Sequence, residues 1–404
     1  MARILVTAKG GFGDVFPVLA IAHCLMTRGH EVCFAAEPHH AEVCAMLGLR
    51  HVPVGGDGAA LRGWRARFGA VLPPPDLAAE LAQLLPLAER AELVLGNQLA
   101  YAGNLARELA GVPWVFCVAS PLAMPARQDP PFWPVLHRLQ RHPLGRALPA
   151  GTYTGLARAG AHLAMAPLVR LRQRLGLPAR GHPRFEGLYS SRLNLLTVSP
   201  ALLPSRSDGP FPTLVTGFCW LEPEFLQQEG ALGPLQAFAA GGAPPVIIVP
   251  GGSLRNHPAR FFEAPLAACR LLGRRAVVVT AREAPPPAPD LYVTGYMPYA
   301  QLFALGAAVV HSGGIGTIGW TMRLGVPSLL LPSDWDQHDN ARLAVRARAG
   351  IMSAQSRNAP AIALALAQLL ADAPAQARLR ALAPRIAAEN GAAAAADAIE
   401  LDIF

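Results

Sequence analysis

Charge is scarce in this chain. Of its 404 residues only 15% are Asp, Glu, Lys or Arg, and lysine in particular is rare. The formal net charge is nonetheless +8, a balance that suits phosphorylated small molecules, nucleic acid or an anionic surface. No run of Lys and Arg interleaved with aromatics is present. The arginines are dispersed, with modest clusters at 62–67 and 138–146. The basic stripe of a nucleic-acid-binding protein is therefore missing. Cysteine is sparse too. The six, Cys24, Cys33, Cys44, Cys117, Cys219 and Cys269, form no CxxC pair, and several sit in apolar runs. That pattern excludes a zinc or disulfide framework and implies free thiols in a reducing compartment. No unbroken apolar stretch has the length of a membrane span. Residues 4–8 run quickly into Lys9 and glycines, too short for a signal peptide. The longest uncharged run, between Glu229 and Arg255, is interrupted by Gly233-Pro234, Gly241-Gly242, Pro244-Pro245 and Pro250-Gly251. A cytoplasmic, soluble protein is expected, monomer or homodimer, with peripheral membrane contact left open.

What is present is apolar residue in abundance, at 52%, enough for two hydrophobic cores in a chain of this length. The opening reads as a strand over 3–8, glycines, a helical pattern over 17–28 with Pro17 in its first turn, and a strand over 31–36. That is the βαβ start of a parallel sheet. Short apolar runs continue at 93–95, 114–118 and 195–198, and the pattern restarts at 246–249, 276–280, 307–310 and 328–331. Pro- and Gly-rich segments at 199–212 and 230–245 bracket a domain boundary. The expected division is 1–220 and 221–383, with a helix over about 384–404 returning to the first domain.

Each half contains a glycine-rich turn between a strand and a helix. The first is Gly10-Gly11-Phe12-Gly13 and the second is Gly313-Gly314-Ile315-Gly316. In open parallel sheets, such turns lie at the carboxyl ends of strands, where ligands bind. The second turn sits between the strand ending near His311 and a helix that Gly325 ends. Unpaired N–H groups at a helix start suit a diphosphate, and glycines let the backbone approach it. Thr317 adds a hydroxyl and His311 a ring N–H. After Gly325-Val326-Pro327 and the next strand come Asp336 and Gln337. A carboxylate and an amide side by side match adjacent sugar hydroxyls; a helix cap is the structural alternative for Asp336.

The ordered run from 311 to 340 resembles the donor signature of family 1 glycosyltransferases of the GT-B fold: a histidine, a glycine-rich loop, Gly-Val-Pro, then Asp-Gln. The resemblance implies an α/β architecture of two facing Rossmann-like parallel-sheet domains with a cleft between them. It implies diphosphate contacts at His311, Gly313, Gly314, Gly316 and Thr317, and at Ser253 in the loop after the 246–249 strand. It implies sugar contacts at Asp336 and Gln337, and a nucleobase near Tyr296 and Met297. Plant-type members carry a glutamate for the ribose hydroxyls where this chain has Gly319. That departure favours dTDP, whose sugar lacks the 2′-hydroxyl, over UDP. Asp334-Trp335-Asp336 is literally a DxD, the metal motif of a different glycosyltransferase fold. Here Asp336 belongs to the Asp-Gln pair, and neither metal nor cofactor is expected.

The first turn is not a dinucleotide fingerprint. Its glycines have the wrong spacing for G-x-G-x-x-G, and Asp14 would repel a pyrophosphate. Gly13-Asp14-Val15-Phe16-Pro17 instead resembles the N-terminal motif of the same family, which implies that Asp14 is the base for an acceptor hydroxyl, beside Gly11, Phe12 and Gly13. Partial burial would raise its pKa towards its task. Alone, Asp14 reads more readily as a helix cap; the second glycine loop shifts the balance towards a base. The implied reaction is a single displacement with inversion, the nucleoside diphosphate leaving into the helix start at 313–317. Variable stretches at 54–75 and 120–191 carry Trp64, Phe68, Phe132, Trp133, Tyr153, Phe185 and Tyr189 with few acids. They suggest an apolar acceptor, with ordinary core as the alternative. Within the family the chain most resembles bacterial rhamnosyltransferases of the rhamnolipid type and natural-product glycosyltransferases, which points to a dTDP-sugar such as dTDP-rhamnose as donor. Two other readings stand beside this one: an NAD-dependent oxidoreductase, and a non-catalytic nucleotide-sugar-binding protein.

Overall fold

The structure is a computed structural model that describes residues 1–56, 76–124, 159, 162–163, 165–178, 187–203, 211–221, 232–251, 261–280, 284–333 and 336–403. The chain divides into two compact units. One comprises Met1–Thr197, Ser205–Trp220 and Asn390–Phe404; the other comprises Val198–Pro204 and Leu221–Glu389.

The first unit runs β1 (Arg3–Thr7), α1 (Phe12–Thr27), β2 (Glu31–Ala36), α2 (Ala41–Met46), β3 (Arg50–Pro53), α3 (Leu77–Ala88), β4 (Leu93–Asn97), α4 (Tyr101–Ala110), β5 (Trp114–Val118), α5 (Ala166–Arg174), β6 (Leu193–Leu196) and β7 (Thr213–Val215). The strands pair in parallel in the order β3-β2-β1-β4-β5-β6-β7. Strand order therefore reverses between β1 and β4, whose register aligns Thr7 with Gly96. The crevice at such a switch point is where an open α/β sheet admits a ligand. One expectation needs correction. Pro17 is inside α1, not in its first turn. The helix begins directly at the glycine turn, where Asp14 N–H and Val15 N–H both reach the Gly11 carbonyl. Pro17 lacks the N–H that would reach the Gly13 carbonyl. Gly13 is exposed, so solvent replaces that donor at little cost.

The second unit runs α6 (Leu232–Ala240), β8 (Val246–Ile248), α7 (Glu263–Leu271), β9 (Ala276–Val279), β10 (Leu291–Thr294), α8 (Tyr299–Phe303), β11 (Ala308–His311), α9 (Ile315–Leu324), β12 (Ser328–Leu330), α10 (Gln337–Arg346), β13 (Gly350–Met352), α11 (Ala359–Ala371) and α12 (Ala373–Ala387). Its sheet is also parallel, in the order β10-β9-β8-β11-β12-β13. Order reverses between β8 and β11. Both faces of this sheet are covered, so its inner strands β8 and β9 are apolar throughout and do not alternate with polar residues. Val246, Ile248, Val278 and Val310 pack with Leu266, Ile362 and Leu366 on one face. Ile247, Val277 and Val309 pack with Leu235, Leu302 and Phe303 on the other. Each such aliphatic side chain contributes about 1.5–3 kcal/mol by leaving water.

The last helix, α13 (Gly391–Ile403), is separated from α12 by a break at 388–390 and belongs to the first unit. Asn390 caps it by accepting the Ala393 N–H at 3.1 Å. Ala395, Ala396 and Ile399 are its buried face, and it packs on α1 and β6. At its rim, Arg28 at the end of α1 pairs with Asp397 at 2.6 Å and with Glu400 at 2.7 Å. No helix among the described residues is long and apolar enough to cross a membrane. Burial, more than the rim charges, should hold α13 in place. Ile399→Ala is expected to cost about 2–5 kcal/mol, and Arg28→Met no more than about 1 kcal/mol, because the pairs are solvent-exposed. Thermal unfolding of the two variants ranks the contributions.

Candidate active site

In the first unit, the turn after β1 is held from three sides. Asn97, the last residue of β4, donates from Nδ2 to the Lys9 carbonyl at 2.8 Å and to the Asp14 carbonyl at 3.2 Å. Its Oδ1 accepts the Lys9 N–H at 3.3 Å. The Gly10 N–H donates to Glu37 at 3.3 Å, and the His40 ring bonds the Gly10 carbonyl at 3.4 Å. Lys9, the chain's lone lysine, pairs with Glu80, whose pKa burial raises against the opposing pull of that ammonium. Gly10 has φ +114, and a Cβ there would lie 2.7 Å from Asp14 Oδ2. Only glycine lets the carboxylate rest against this backbone. Asp14 itself is half-buried in the first turn of α1. Its Oδ1 accepts a hydrogen bond from Gln98 Nε2 at 2.7 Å. Phe12 stacks on Phe16 with ring centroids 4.8 Å apart and meets His40 edge-on at 6.0 Å. Gly11 is the N-cap of the helix, and Gly13 is exposed beside Asp14.

In the second unit, the switch point between β8 and β11 brings two turns together. Ser312 donates to the Pro250 carbonyl. A Cβ on Gly251 would lie 3.2 Å from Thr317 Oγ1 and 3.3 Å from Ser312 Oγ. Ser253, two residues further on, lies outside the described residues. His311 closes β11 and is fully buried. Burial pushes its pKa down to about 3, so the ring is neutral at physiological pH. Its Nδ1 accepts the Gly313 N–H at 3.1 Å, which places the single ring proton on Nε2. That buried Nε2 has no hydrogen-bond partner among the described residues. Gly313 has φ +93, and a Cβ there would lie 3.0 Å from the Gln337 carbonyl oxygen. Gly314 is the N-cap of α9, Gly316 is exposed in its first turn with open space around its Cα, and Thr317 is buried one residue on. The first N–H groups of α9 have no intrahelical acceptor and carry partial positive charge.

Asp336 and Gln337 stand at the start of α10. Asp336 occupies the N-cap position, but its side chain does not cap the helix. It accepts from Asn340 Nδ2 at 2.9 Å, and the same amide reaches the Gly313 carbonyl at 3.2 Å. Gln337 Oε1 accepts the Ser333 N–H at 3.0 Å. Asn340 thus ties the Asp-Gln pair to the glycine turn. Sequence reasoning missed that role, as it missed Asn97 and Gln98; all are ordinary amides with no motif of their own. Tyr296 follows β10 with its ring 6.3 Å from that of Tyr299. Met297 is fully buried among Val249, Leu302 and Phe303, so its side chain belongs to the core and its backbone alone is left for a ligand.

Asp334 and Trp335 of the DxD lie outside the described residues, as do Trp64, Phe68, Phe132, Trp133, Tyr153 and Phe185. Tyr189 is described and is core. Its ring packs on Phe116 and Phe211, and its hydroxyl donates to the Ala123 carbonyl at 2.7 Å. Among the described residues, Glu37, His39 and His40 hold their ligand atoms within 4.8 Å of one another, though Glu37 and His40 already bond Gly10.

Two parallel α/β units, each with a glycine turn at its switch point, define the GT-B fold. Comparison with known proteins agrees. Residues 279–400 match the family described as erythromycin biosynthesis protein CIII-like, C-terminal domain. The chain is 29% identical over 342 residues to a dTDP-epi-vancosaminyltransferase of Amycolatopsis orientalis, covering 81% of this chain and 78% of the relative. The solved structure of the glycotransferase of kitacinnamycin superposes with a TM-score of 0.74 at 21% identity, over 100% of this chain and 99% of that one. Spinosyn rhamnosyltransferase SpnG, complexed with thymidine diphosphate, superposes with a TM-score of 0.66 at 22% identity, over 98% of this chain and 100% of that one. These similarities support a glycosyltransferase that resembles those of natural-product biosynthesis over most of its length.

The neutrality of His311 has a measurable consequence. The unfolded ring takes a proton near 6.5, the folded ring only near 3. Stability from this residue is therefore full above pH 6.5 and lost as pH falls through that window. His40, pushed down to about 4 by burial and by neighbouring His39, acts in the same direction. Each contributes a slope of up to about 1.4 kcal/mol per pH unit. Melting temperature should fall as pH drops from 7 to 4, and less steeply in His311→Gln.

Proposed function

We propose that this chain transfers a sugar from a nucleotide-diphosphate sugar, a dTDP-sugar such as dTDP-rhamnose favoured over a UDP-sugar, to a hydroxyl of an apolar small molecule or lipid, with inversion and without a metal. The observation that carries the donor half is the buried, neutral His311. Its Nε2–H is a donor without an acceptor among the described residues, in a turn that opens a helix. A diphosphate oxygen is the ligand such a group would satisfy, together with the N–H groups of Gly314, Gly316 and Thr317. Asp336 and Gln337, tied to the same turn, would take the sugar hydroxyls.

Three further points support the finer reading. Gly319 is buried within α9 and offers no carboxylate for a 2′-hydroxyl, which favours dTDP over UDP. The name of one relative specifies a dTDP-sugar. SpnG, a rhamnosyltransferase, has been solved with thymidine diphosphate. The reaction then runs in one displacement. The acceptor oxygen bonds to the anomeric carbon as its proton passes to Asp14. The bond from that carbon to the diphosphate breaks on the opposite side. The developing negative charge is met by the α9 N–H groups and by His311. Fixed N–H donors supply the neutralisation that a metal would otherwise provide, and no cofactor beyond the donor is called for.

Asp14→Asn tests the assignment. It should lower kcat by about 10²–10⁴-fold while a dTDP-sugar still raises the melting temperature, since the donor residues are untouched. Transfer by the variant at the parental rate would overturn the base. A panel in which no dTDP- or UDP-sugar stabilises the parent protein would overturn the donor.

A further inference from the structure

We infer that Gln98 is the positioning residue of the base: its amide holds the Asp14 carboxylate ionised and aimed. This rests on the reading of Asp14 as base. The geometry separates the two carboxylate oxygens. Oδ1 accepts from Gln98 Nε2 at 2.7 Å. Oδ2 lies against the Cα of Gly10, where any side chain would collide with it. Gln98 follows directly on β4, next to Asn97, which bonds the Asp14 backbone carbonyl. One strand end therefore holds both the backbone and the side chain of Asp14, across the switch point from β1.

The other end of the Gln98 amide adds a second observation. Its Oε1 is buried and has no hydrogen-bond partner among the described residues. The amide is therefore not oriented by its own oxygen. Turning it over would place Oε1 against the carboxylate, oxygen facing oxygen. The contact with Asp14 is what sets it. An N–H bond to a carboxylate stabilises the ionised form, the form a base needs. Among the described residues, the charged and titratable groups around this turn are Lys9, Glu80 on α3, and Glu37, His39 and His40 beyond β2. Lys9 is paired with Glu80, while Glu37 and His40 bond the Gly10 backbone. Gln98 is a neutral amide bonded directly to Oδ1, so its effect is read separately from that of the charged groups.

Two variants and a pH profile test this. Gln98→Met keeps the shape and removes the donor. Its acid limb of kcat/KM should move up by about one pH unit, with the rate at high pH within a few-fold of parent. Gln98→Glu keeps shape and polarity but sets two carboxylates together. They would share a proton, and the acid limb should move up by about two units or more. Donor KM should stay unchanged in both. Should Gln98→Met fail to fold, Gln98→Glu alone carries the test. Profiles of the variants that superimpose on the parent, or that fall equally at every pH, overturn the inference. Asp14→Asn run alongside keeps the two readings apart: an inactive Asp14→Asn with unmoved Gln98 profiles sinks only the role of Gln98, whereas an active Asp14→Asn sinks the base itself.

Discussion

The hydrogen bond from the Gly313 N–H to Nδ1 of His311 organises the second unit. It forms because the ring is fully buried at the end of β11 and burial keeps it neutral. A charged ring could not accept there. Once Nδ1 accepts, the proton must sit on Nε2. The same bond holds Gly313 in a backbone conformation that glycine adopts readily and that brings its Cα against the Gln337 carbonyl. The turn that results starts α9 with N–H groups that have no intrahelical acceptor and sets α10 beside it. Asn340 then closes the arrangement by reaching both Gly313 and Asp336. Ring, helix start and Asp-Gln pair are consequences of one burial.

The two units share a topology but differ in charge at the glycine turn. Each has a parallel sheet whose order reverses beside its first strand, and each has a glycine turn there. In the second unit the helix start is kept free of carboxylates, so partial positive charge is available to an anion. In the first unit Asp14 fills that position and faces a neutral amide. The first helix start thus carries a carboxylate and the second carries none in its first turn. One side chain in the first turn of a helix is enough to change the charge that a glycine turn presents.

Much of this was legible in the residues. Aliphatic runs such as 246–249 and 307–310 could only be strands buried on both faces. The 311–340 run carried the family resemblance. What was not legible has physical reasons. β3, β7, β10 and β13 are short edge or near-edge strands with mixed composition, such as Arg50–Pro53 and Gly350–Met352, and their pairing depends on neighbours distant in sequence. Pro17 suggested a helix start because proline favours a first turn. The glycine turn ahead of it begins the helix earlier, and an exposed Gly13 carbonyl tolerates the missing donor. Tyr189 looked like a ligand aromatic until its hydroxyl found the Ala123 carbonyl.

Local order by itself determined the two-sheet architecture, the glycine turns and the donor signature, because periodicity, turn residues and motif spacing are properties of neighbours along the chain. Tertiary structure alone decided how those pieces are wired. The proton position on His311 follows from burial. The bridging by Asn340 follows from α10 lying against the turn after β11. The clamp of Asn97 and Gln98 on Asp14 follows from β4 pairing beside β1, 83 and 84 residues away. Amides such as these carry no pattern in sequence. Their role is set by what the fold places within hydrogen-bond distance of them.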